Sequence, residues 1–292
     1  DRVSTSRDLI AAIPPGLQTV LDRLQPSGAI GLYNGNFAFV KSPQSQALGA
    51  AWDVSLECQQ TSLQCSLPLR GINGGVRIVG RSDGRNAFVS GKFALDTVLC
   101  KDVQLTNVRG PFWADATHFL AGEPACKQQN LPEQTRVIAD AYGGSLATNI
   151  EFVHDANAGY NIDMRLGGAN LGRFANERLG GPNDLNGTLS GKVVISGTGT
   201  TMQTMRGSGE LHVVDANIYQ LPVLVAMLKV LRNRTPDTTA FNRCDLKFAI
   251  QGEHVHFEQL NLLGDAVSLY GNGDTDLSRR LDLVFYTLVG PV

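Results

Sequence analysis

The sequence predicts a mainly β protein built on a long curved antiparallel sheet, an open groove or half-barrel, with a few short helices. Three observations support this fold class. Apolar residues alternate with small or polar residues over most of the chain, which is the period of a half-buried strand. Glycine is frequent, at 32 residues, whereas aromatic residues make up 7% of the chain, and this composition favours short strands over a helical bundle. Clusters of Gly, Asn and Asp separate the alternating runs, as in a meander.

The pattern divides the chain into three regions. Residues 1–28 form an N-terminal helical segment, because four Leu and Val residues between positions 17 and 24 lie on one helical face. Residues 29–121 form a first antiparallel β region, and residues 122–134 read as a loop or linker. Residues 135–292 form a second β region, which contains a helix at 221–231.

Turn and helix signals place the remaining elements. Asn73-Gly74-Gly75 and residues 82–86 are expected to separate strands, because these residue types favour turns. Helices are expected only near residues 7–24, 170–179 and 221–231. The chain should therefore be mostly antiparallel strand.

Bulk composition excludes some classes of function. The chain has 292 residues, of which 42% are hydrophobic, so it can bury the core of one large or two ordinary domains. The net charge of −2 provides no broad basic surface, and nucleic acid is therefore not an expected partner. The longest apolar helical run, residues 221–228, is shorter than the ~20 residues that a membrane span requires. We expect this piece to be soluble by itself.

The five cysteines leave two alternatives open. Two local disulfides, Cys58–Cys65 and Cys100–Cys126, would leave Cys244 as a free thiol in an oxidising compartment. Alternatively, all five act as small buried hydrophobic residues. No CxxC spacing occurs, so a zinc site is not expected.

The C-terminal strands are predicted to carry one continuous apolar face. Only three short helices are available to cover about a dozen strands, and a large apolar surface is rare without a ligand or partner. Acyl chains suit such a surface because they need no hydrogen bonds. The candidate lipid-facing residues are Leu211, Val213, Ile218, Leu246, Phe248, Ile250, Val255, Phe257, Val267, Leu269, Leu283 and Phe285.

The helix at 221–231 is apolar on two sides and must be covered on both. One interpretation makes it a plug in the groove, with Leu224, Met227 and Leu228 contacting lipid. The alternative buries it between the sheet and a neighbouring segment.

Neither of two metal-ligand patterns outweighs its simpler explanation. His254, His256 and Glu258 share one side of a strand, which also describes a solvated outer face. The second set has the i, i+2, i+4 spacing of a calcium loop but lacks its Gly and bidentate Glu, so a polar turn is favoured: Asn272, Asp274 and Asp276. No nucleophile elbow, dinucleotide fingerprint or P-loop occurs. The sequence therefore predicts no metal, no cofactor and no enzymatic activity.

Four sequence segments resemble the C-terminal region of the AsmA-like family of bacterial envelope proteins. They are NGTLSGKVVISG (186–197), GSGELHVVDANIYQLPVLVAML (207–228), the block from Phe241 to Gly273 with its ending LYGNGDTDL, and the upstream AYGGSLATNIEF (141–152). The match consists of glycine positions and hydrophobic alternation.

The resemblance implies a periplasmic protein, tethered to the inner membrane by a helix that precedes Asp1. Large relatives such as TamB-like proteins fold into a curved sheet whose hydrophobic groove carries phospholipids between membranes, which contributes to outer-membrane biogenesis. The implied partners are phospholipid acyl chains and inner- and outer-membrane proteins. Two alternatives remain: an assembly module that pairs with other envelope proteins through its sheet edges, and a hydrolase with a dispersed site.

Overall fold

Antiparallel strands account for most of the protein, and the predicted mainly β fold with few helices is confirmed. The computed structural model describes residues 2–3, 25–41, 48–64, 68–83, 86–101, 103–154, 158–179, 185–199, 201–216, 241–265, 267–276 and 281–289. The chain forms two compact units. Unit 1 comprises Asp1–Ala141 and Ala147–Ile162, and unit 2 comprises Tyr142–Leu146 and Asp163–Val292.

Unit 1 is a meander in which strands that are consecutive in sequence are hydrogen-bonded neighbours, except that β7 pairs with β9 rather than with β8. The strand order is β1-β2-β3-β4-β5-β6-β7-β9, and β8 pairs with β6 and β9. The elements are β1 (Arg2–Val3), β2 (Ser27–Lys41), β3 (Leu48–Leu63), β4 (Leu69–Ser82), β5 (Ala87–Cys100), β6 (Val103–Ala114), β7 (His118–Ala121), helix α1 (Glu123–Gln128), β8 (Val137–Ala141) and β9 (Gly144–Val153).

The expected strand break at Asn73-Gly74-Gly75 is wrong, because β4 runs through all three residues. The register shifts at Asn73, and Gly74 has φ of +115°. A Cβ at Gly74 would lie 2.7 Å from the carbonyl oxygen of Ala94. The glycine therefore permits a bulge and a close strand approach inside β4, and the bulge bends the strand.

The linker expected at 122–134 is wrong in part, because it contains α1. The Glu123 carboxylate accepts a hydrogen bond from Asn149 Nδ2 at 2.7 Å and pairs with Arg136 Nε at 3.2 Å. Ala125 and Cys126 are fully buried. A six-residue helix with two buried residues has too little periodicity to be recognised from sequence, and these tertiary contacts stabilise it.

Unit 2 continues the same sequential pairing, in the order β10-β11-β12-β13-β14-β15-β16. Strands β9 and β10 each contribute residues to both units. The elements are β10 (Gly159–Asn170), helix α2 (Leu171–Leu179), β11 (Thr188–Thr198), a 3₁₀ turn (Met202–Thr204), β12 (Arg206–Val214), β13 (Arg243–Gln251), β14 (His254–Leu263), β15 (Val267–Asp276) and β16 (Leu281–Val289).

Helix α2 confirms the helix predicted at 170–179. The Asn170 side chain accepts a hydrogen bond from the Arg173 backbone N–H at 2.9 Å, which caps the first turn. Leu171 and Ala175 are buried, and Phe174 meets Tyr142 edge to face. The helices predicted at 7–24 and 221–231 lie outside the described residues.

The core of unit 2 lies where α2 packs against the sheet. Its members come from both ends of the unit and are each at most 4% exposed: Ala169, Leu171, Leu189, Ala216, Phe241, Leu262 and Leu269. The polar turn expected at residues 272–276 is wrong, because all of these residues lie within β15. Their alternation with Gly271 and Gly273 is strand periodicity rather than a loop.

Candidate functional site

One face of unit 2 carries four cross-strand rows that contain only apolar side chains, glycine and threonine. Residues directly opposite each other in antiparallel strands share a face, so the registers of β11–β16 define each row. The rows are Leu189, Val213, Cys244, Leu262, Leu269, Thr287; Gly191, Leu211, Leu246, Leu260, Gly271, Phe285; Val193, Gly209, Phe248, Phe257, Gly273, Leu283; and Ile195, Gly207, Ile250, Val255, Thr275, Leu281. We call this surface the apolar face.

Aromatic rings lie over glycines within these rows. A Cβ at Gly209 would be 2.5 Å from Phe248 Cζ, and a Cβ at Gly271 would be 2.5 Å from Phe285 Cδ1. Each ring therefore rests on the neighbouring strand's backbone. Because glycine has no side chain, the aromatic rings can lie flat against the sheet, and the apolar face is broad and flat.

Burial divides the apolar face into a closed part and an accessible part. In the first two rows, Leu269 is buried in the core, and Leu211, Val213 and Phe285 pack against it. Val267, which lies opposite Val289 beyond the first row, packs against the core as well.

The remaining candidates are partly exposed and stand outside the core cluster: Leu246, Phe248, Ile250, Val255, Phe257 and Leu283. Ile218 and the proposed plug residues Leu224, Met227 and Leu228 lie outside the described residues. The third and fourth rows, together with Leu246 of the second row, are therefore the accessible part of the apolar face.

Unit 1 has an apolar face of the same kind, which the candidate residues from the sequence did not include. One row crosses seven strands: Phe37, Trp52, Gly80, Val89, Ala114, Phe119 and Phe152. Four rings, Phe93, Phe112, Phe119 and Phe152, follow one another with centroids 6.2 to 6.5 Å apart. The signal that identifies this face in the sequence is the period-two alternation of β2–β6.

An open cavity of about 520 Å³ lies among β2–β5 of unit 1. The Trp52 indole lies over Gly80, and the Arg81 guanidinium lies 4.9 Å from the centre of the Phe88 ring. Phe37, also in the lining, is 58% exposed. Asp53 belongs to the lining as well, so the cavity combines apolar side chains with one cation and one carboxylate.

The opposite face of unit 2 is held by ion pairs. His212 Nδ1 and Arg243 Nε lie 2.7 and 3.0 Å from the Asp245 carboxylate. Burial of Asp245 opposes its ionisation, but the hydrogen bonds from His212 and Arg243 outweigh it, so the pKa of Asp245 falls below its ordinary value. Lys247 pairs with Glu258 at 2.7 Å. This face is suited to water.

The residues considered as metal ligands also lie on that charged face. His254 and His256 are exposed, and His256 Nδ1 lies 2.8 Å from Asp274 Oδ1. Within the described ranges, no group of three or more His, Cys, Asp or Glu side chains is arranged to hold a metal ion. His256 and Asp274 instead form an exposed side-chain hydrogen bond between β14 and β15.

Two groups bring a hydroxyl, an imidazole and a carboxylate together. Ser190, His212 and Asp245 stand opposite one another on three strands, but the Ser190 hydroxyl accepts a hydrogen bond from Gly168 N–H at 3.1 Å rather than contacting the imidazole.

In the second group, Thr117 Oγ1 and Asp115 Oδ1 both approach His118 Nδ1, at 2.8 and 3.3 Å. A catalytic triad places hydroxyl and carboxylate on different ring nitrogens. Neither group supports hydrolase chemistry.

Two of the cysteines that the structure describes, Cys58 and Cys126, are buried thiols. Cys58 and Cys126 are buried and free, so neither the Cys58–Cys65 nor the Cys100–Cys126 disulfide is formed. Burial raises the pKa of Cys244 to about 12. These positions match the alternative in which cysteine serves as a small hydrophobic residue.

None of the helices among the described residues combines the length and the hydrophobicity needed to cross a membrane. Comparison with protein-family models, curated proteins and solved structures gave no match to this chain. The resemblance to the AsmA-like family therefore stays a prediction.

Proposed function

We propose that this protein is a non-enzymatic envelope protein whose apolar sheet faces bind phospholipid acyl chains and conduct them between membranes. The observation that carries the proposal is the composition of the third and fourth rows of unit 2. They run across six strands without a charged or strongly polar side chain, while the other face carries ion pairs between β12 and β13 and between β13 and β14.

The dimensions of the rows suit an acyl chain. Six strands at ~4.8 Å spacing extend about 24 Å across the sheet. One leaflet of a membrane, half of a hydrocarbon core ~30 Å thick, corresponds to an acyl chain of roughly 15 Å. A chain lying along a row would be covered over its whole length and would gain about 0.8 kcal/mol for each buried methylene group.

The broad, flat shape of the apolar face favours a flexible chain over a rigid ligand. Phe248 lies flat over Gly209, and the polar groups of the adjoining backbone are used within the sheet. Such a surface supplies contact without hydrogen-bonding specificity, which matches hydrocarbon rather than a polar metabolite. The proposed periplasmic location, the tether and a role in outer-membrane biogenesis rest on the family resemblance.

The test compares two substitutions on adjacent residues of β13. Phe248→Asp places a carboxylate on the apolar face, whereas Ala249→Asp places it on the charged face beside His256. Lipid that co-purifies with each protein is extracted and quantified by mass spectrometry. We expect lipid in the wild type and in Ala249→Asp, and a loss of about tenfold or more in Phe248→Asp.

Circular dichroism and hydrogen exchange of β13 amides provide the fold control. A milder variant, Val255→Ser, covers the case in which Phe248→Asp unfolds, and it should weaken lipid retention while keeping the fold. A wild-type protein that retains no phospholipid contradicts the proposal. The assembly module that pairs through sheet edges then becomes the better explanation.

A further inference from the structure

Strand β16 departs from the two-faced pattern of the strands beside it. On the charged face, β12–β15 present His212, Asp245, Lys247 and Asp274, but β16 presents apolar residues there as well. Its exposed apolar side chains lie on both faces: Leu281 at 48%, Val284 at 52%, Tyr286 at 67%, Leu288 at 60% and Val289 at 70%. A strand that is apolar on both faces is typical of the interior of a sheet.

Within the described part of the sheet, the backbone of β16 is paired on one side. Among the described strands, β15 is the only one hydrogen-bonded to β16, along the whole length from Leu281 to Val289. Alternate N–H and C=O groups of an antiparallel strand point away from its neighbour. A helix or a lipid would cover the exposed side chains but would leave the outward N–H and C=O groups of β16 without hydrogen-bond partners. Another strand covers the side chains and also pairs with these backbone groups.

We infer that β16 pairs with β16 of a second copy of this chain, so that the sheets of two molecules join edge to edge. Antiparallel pairing centred on Phe285 is self-complementary. It sets Leu281 against Val289 of the second copy and Val284 against Tyr286 of the second copy. In this register odd-numbered residues meet odd-numbered residues, and even-numbered residues meet even-numbered ones. The apolar face of one molecule therefore continues into the apolar face of the other, and the charged face into the charged face.

Charge also favours this arrangement. Asp282 is the one charged residue of β16, and it already stands opposite Asp274 of β15. In the self-pairing, each Asp282 meets Leu288 at the end of the strand, and the two Asp282 side chains are separated by about 20 Å along the strand. The pairing therefore adds no new opposition of like charges.

Sedimentation velocity at protein concentrations from about 1 to 100 μM tests the association. We expect a concentration-dependent dimer for the wild type. Val284→Lys should weaken it by about tenfold or more, because each copy would lose the apolar contact between Val284 and Tyr286, and the two new ammonium groups would stand diagonally opposite each other across the pair. Ser208→Lys, on the same face of the central strand β12, adds the same charge at an exposed site and should leave the dimer unchanged.

The register is tested by cysteine cross-linking. In a mixture of Val284→Cys and Tyr286→Cys proteins, oxidation should join the two variants much faster than it joins either variant to itself, because only the mixed pair is directly opposite. Wild-type protein under the same oxidant controls for the native cysteines. A wild type that stays monomeric, a dimer insensitive to Val284→Lys, or absence of the preferred mixed cross-link each overturns the inference. This inference does not depend on lipid binding.

Discussion

Leu262 and Leu246 offer a direct test of how the apolar face of unit 2 is divided. Both leucines lie on this face in neighbouring strands, β14 and β13. Leu262 is 2% exposed within the core, whereas Leu246 is partly exposed and outside the core cluster. If burial divides this face into a closed part and an accessible part, the substitution of each leucine by alanine must lower the free energy of unfolding by different amounts.

The expected magnitudes follow from what each substitution removes. Leu262→Ala deletes about three buried carbon atoms, worth ~2.4 kcal/mol at ~0.8 kcal/mol per methylene group. The cavity left in a closed site raises the total to roughly 3–5 kcal/mol. Leu246→Ala removes side-chain atoms that are already partly in contact with solvent and leaves no enclosed cavity, so roughly 1–2 kcal/mol is expected.

The assay has to report on unit 2. Both tryptophans, Trp52 and Trp113, lie in unit 1, so their fluorescence does not follow the unfolding of unit 2. Urea titrations monitored by hydrogen exchange of β13 and β14 amides give the free energy of unfolding for each variant. An equal loss of unfolding free energy in the two variants, or a larger loss in Leu246→Ala, would refute the division of the apolar face into a closed part and an accessible part. It would also refute the accessible surface on which the proposed lipid binding rests.

Two further predictions concern the strands around this face. Gly273→Ala should destabilise unit 2 by roughly 1–3 kcal/mol, and by more than Gly271→Ala, because φ at Gly273 is +148° and its new Cβ would lie 2.1 Å from the Asp282 carbonyl oxygen. A Cβ at Gly271 would meet one backbone atom less closely, the Val284 carbonyl oxygen at 2.9 Å, and otherwise the Phe285 ring. Equal unfolding free energies in urea would contradict this prediction. Asp245 has a lowered folded-state pKa, so its stabilising effect is present above the unfolded-state pKa of about 3.9 and is lost as the pH falls below it. Asp245→Asn should therefore lower stability at neutral pH and flatten the acid limb of the stability–pH curve, and parallel curves for variant and wild type would exclude this role.

Local sequence determined those parts of the fold that depend on neighbouring residues. The alternation in β12–β16 assigned Phe248 and Phe257 to one face, because successive side chains of a strand point in opposite directions. The turn between β8 and β9 contains Gly143, whose φ of +78° suits its residue type, but the positive φ of Tyr142 beside it is not indicated by residue type. Helix α2 was predictable because Asn170 caps a segment with its own apolar side.

Other features depended on contacts between distant residues, which a single sequence does not display. Helix α1 required Asn149 and Arg136 to hold Glu123 from 26 and 13 residues away. Strand β4 continues through Gly74 because the approach of β5 excludes a side chain there.

The division of the apolar face likewise came from packing. Leu269 and Leu246 have the same place in the alternation, but Leu269 lies in the core cluster that includes Leu171 of α2, whereas Leu246 lies outside it. Period two specifies the face to which a side chain belongs. The tertiary structure decides what covers that face, because coverage depends on where distant segments pack.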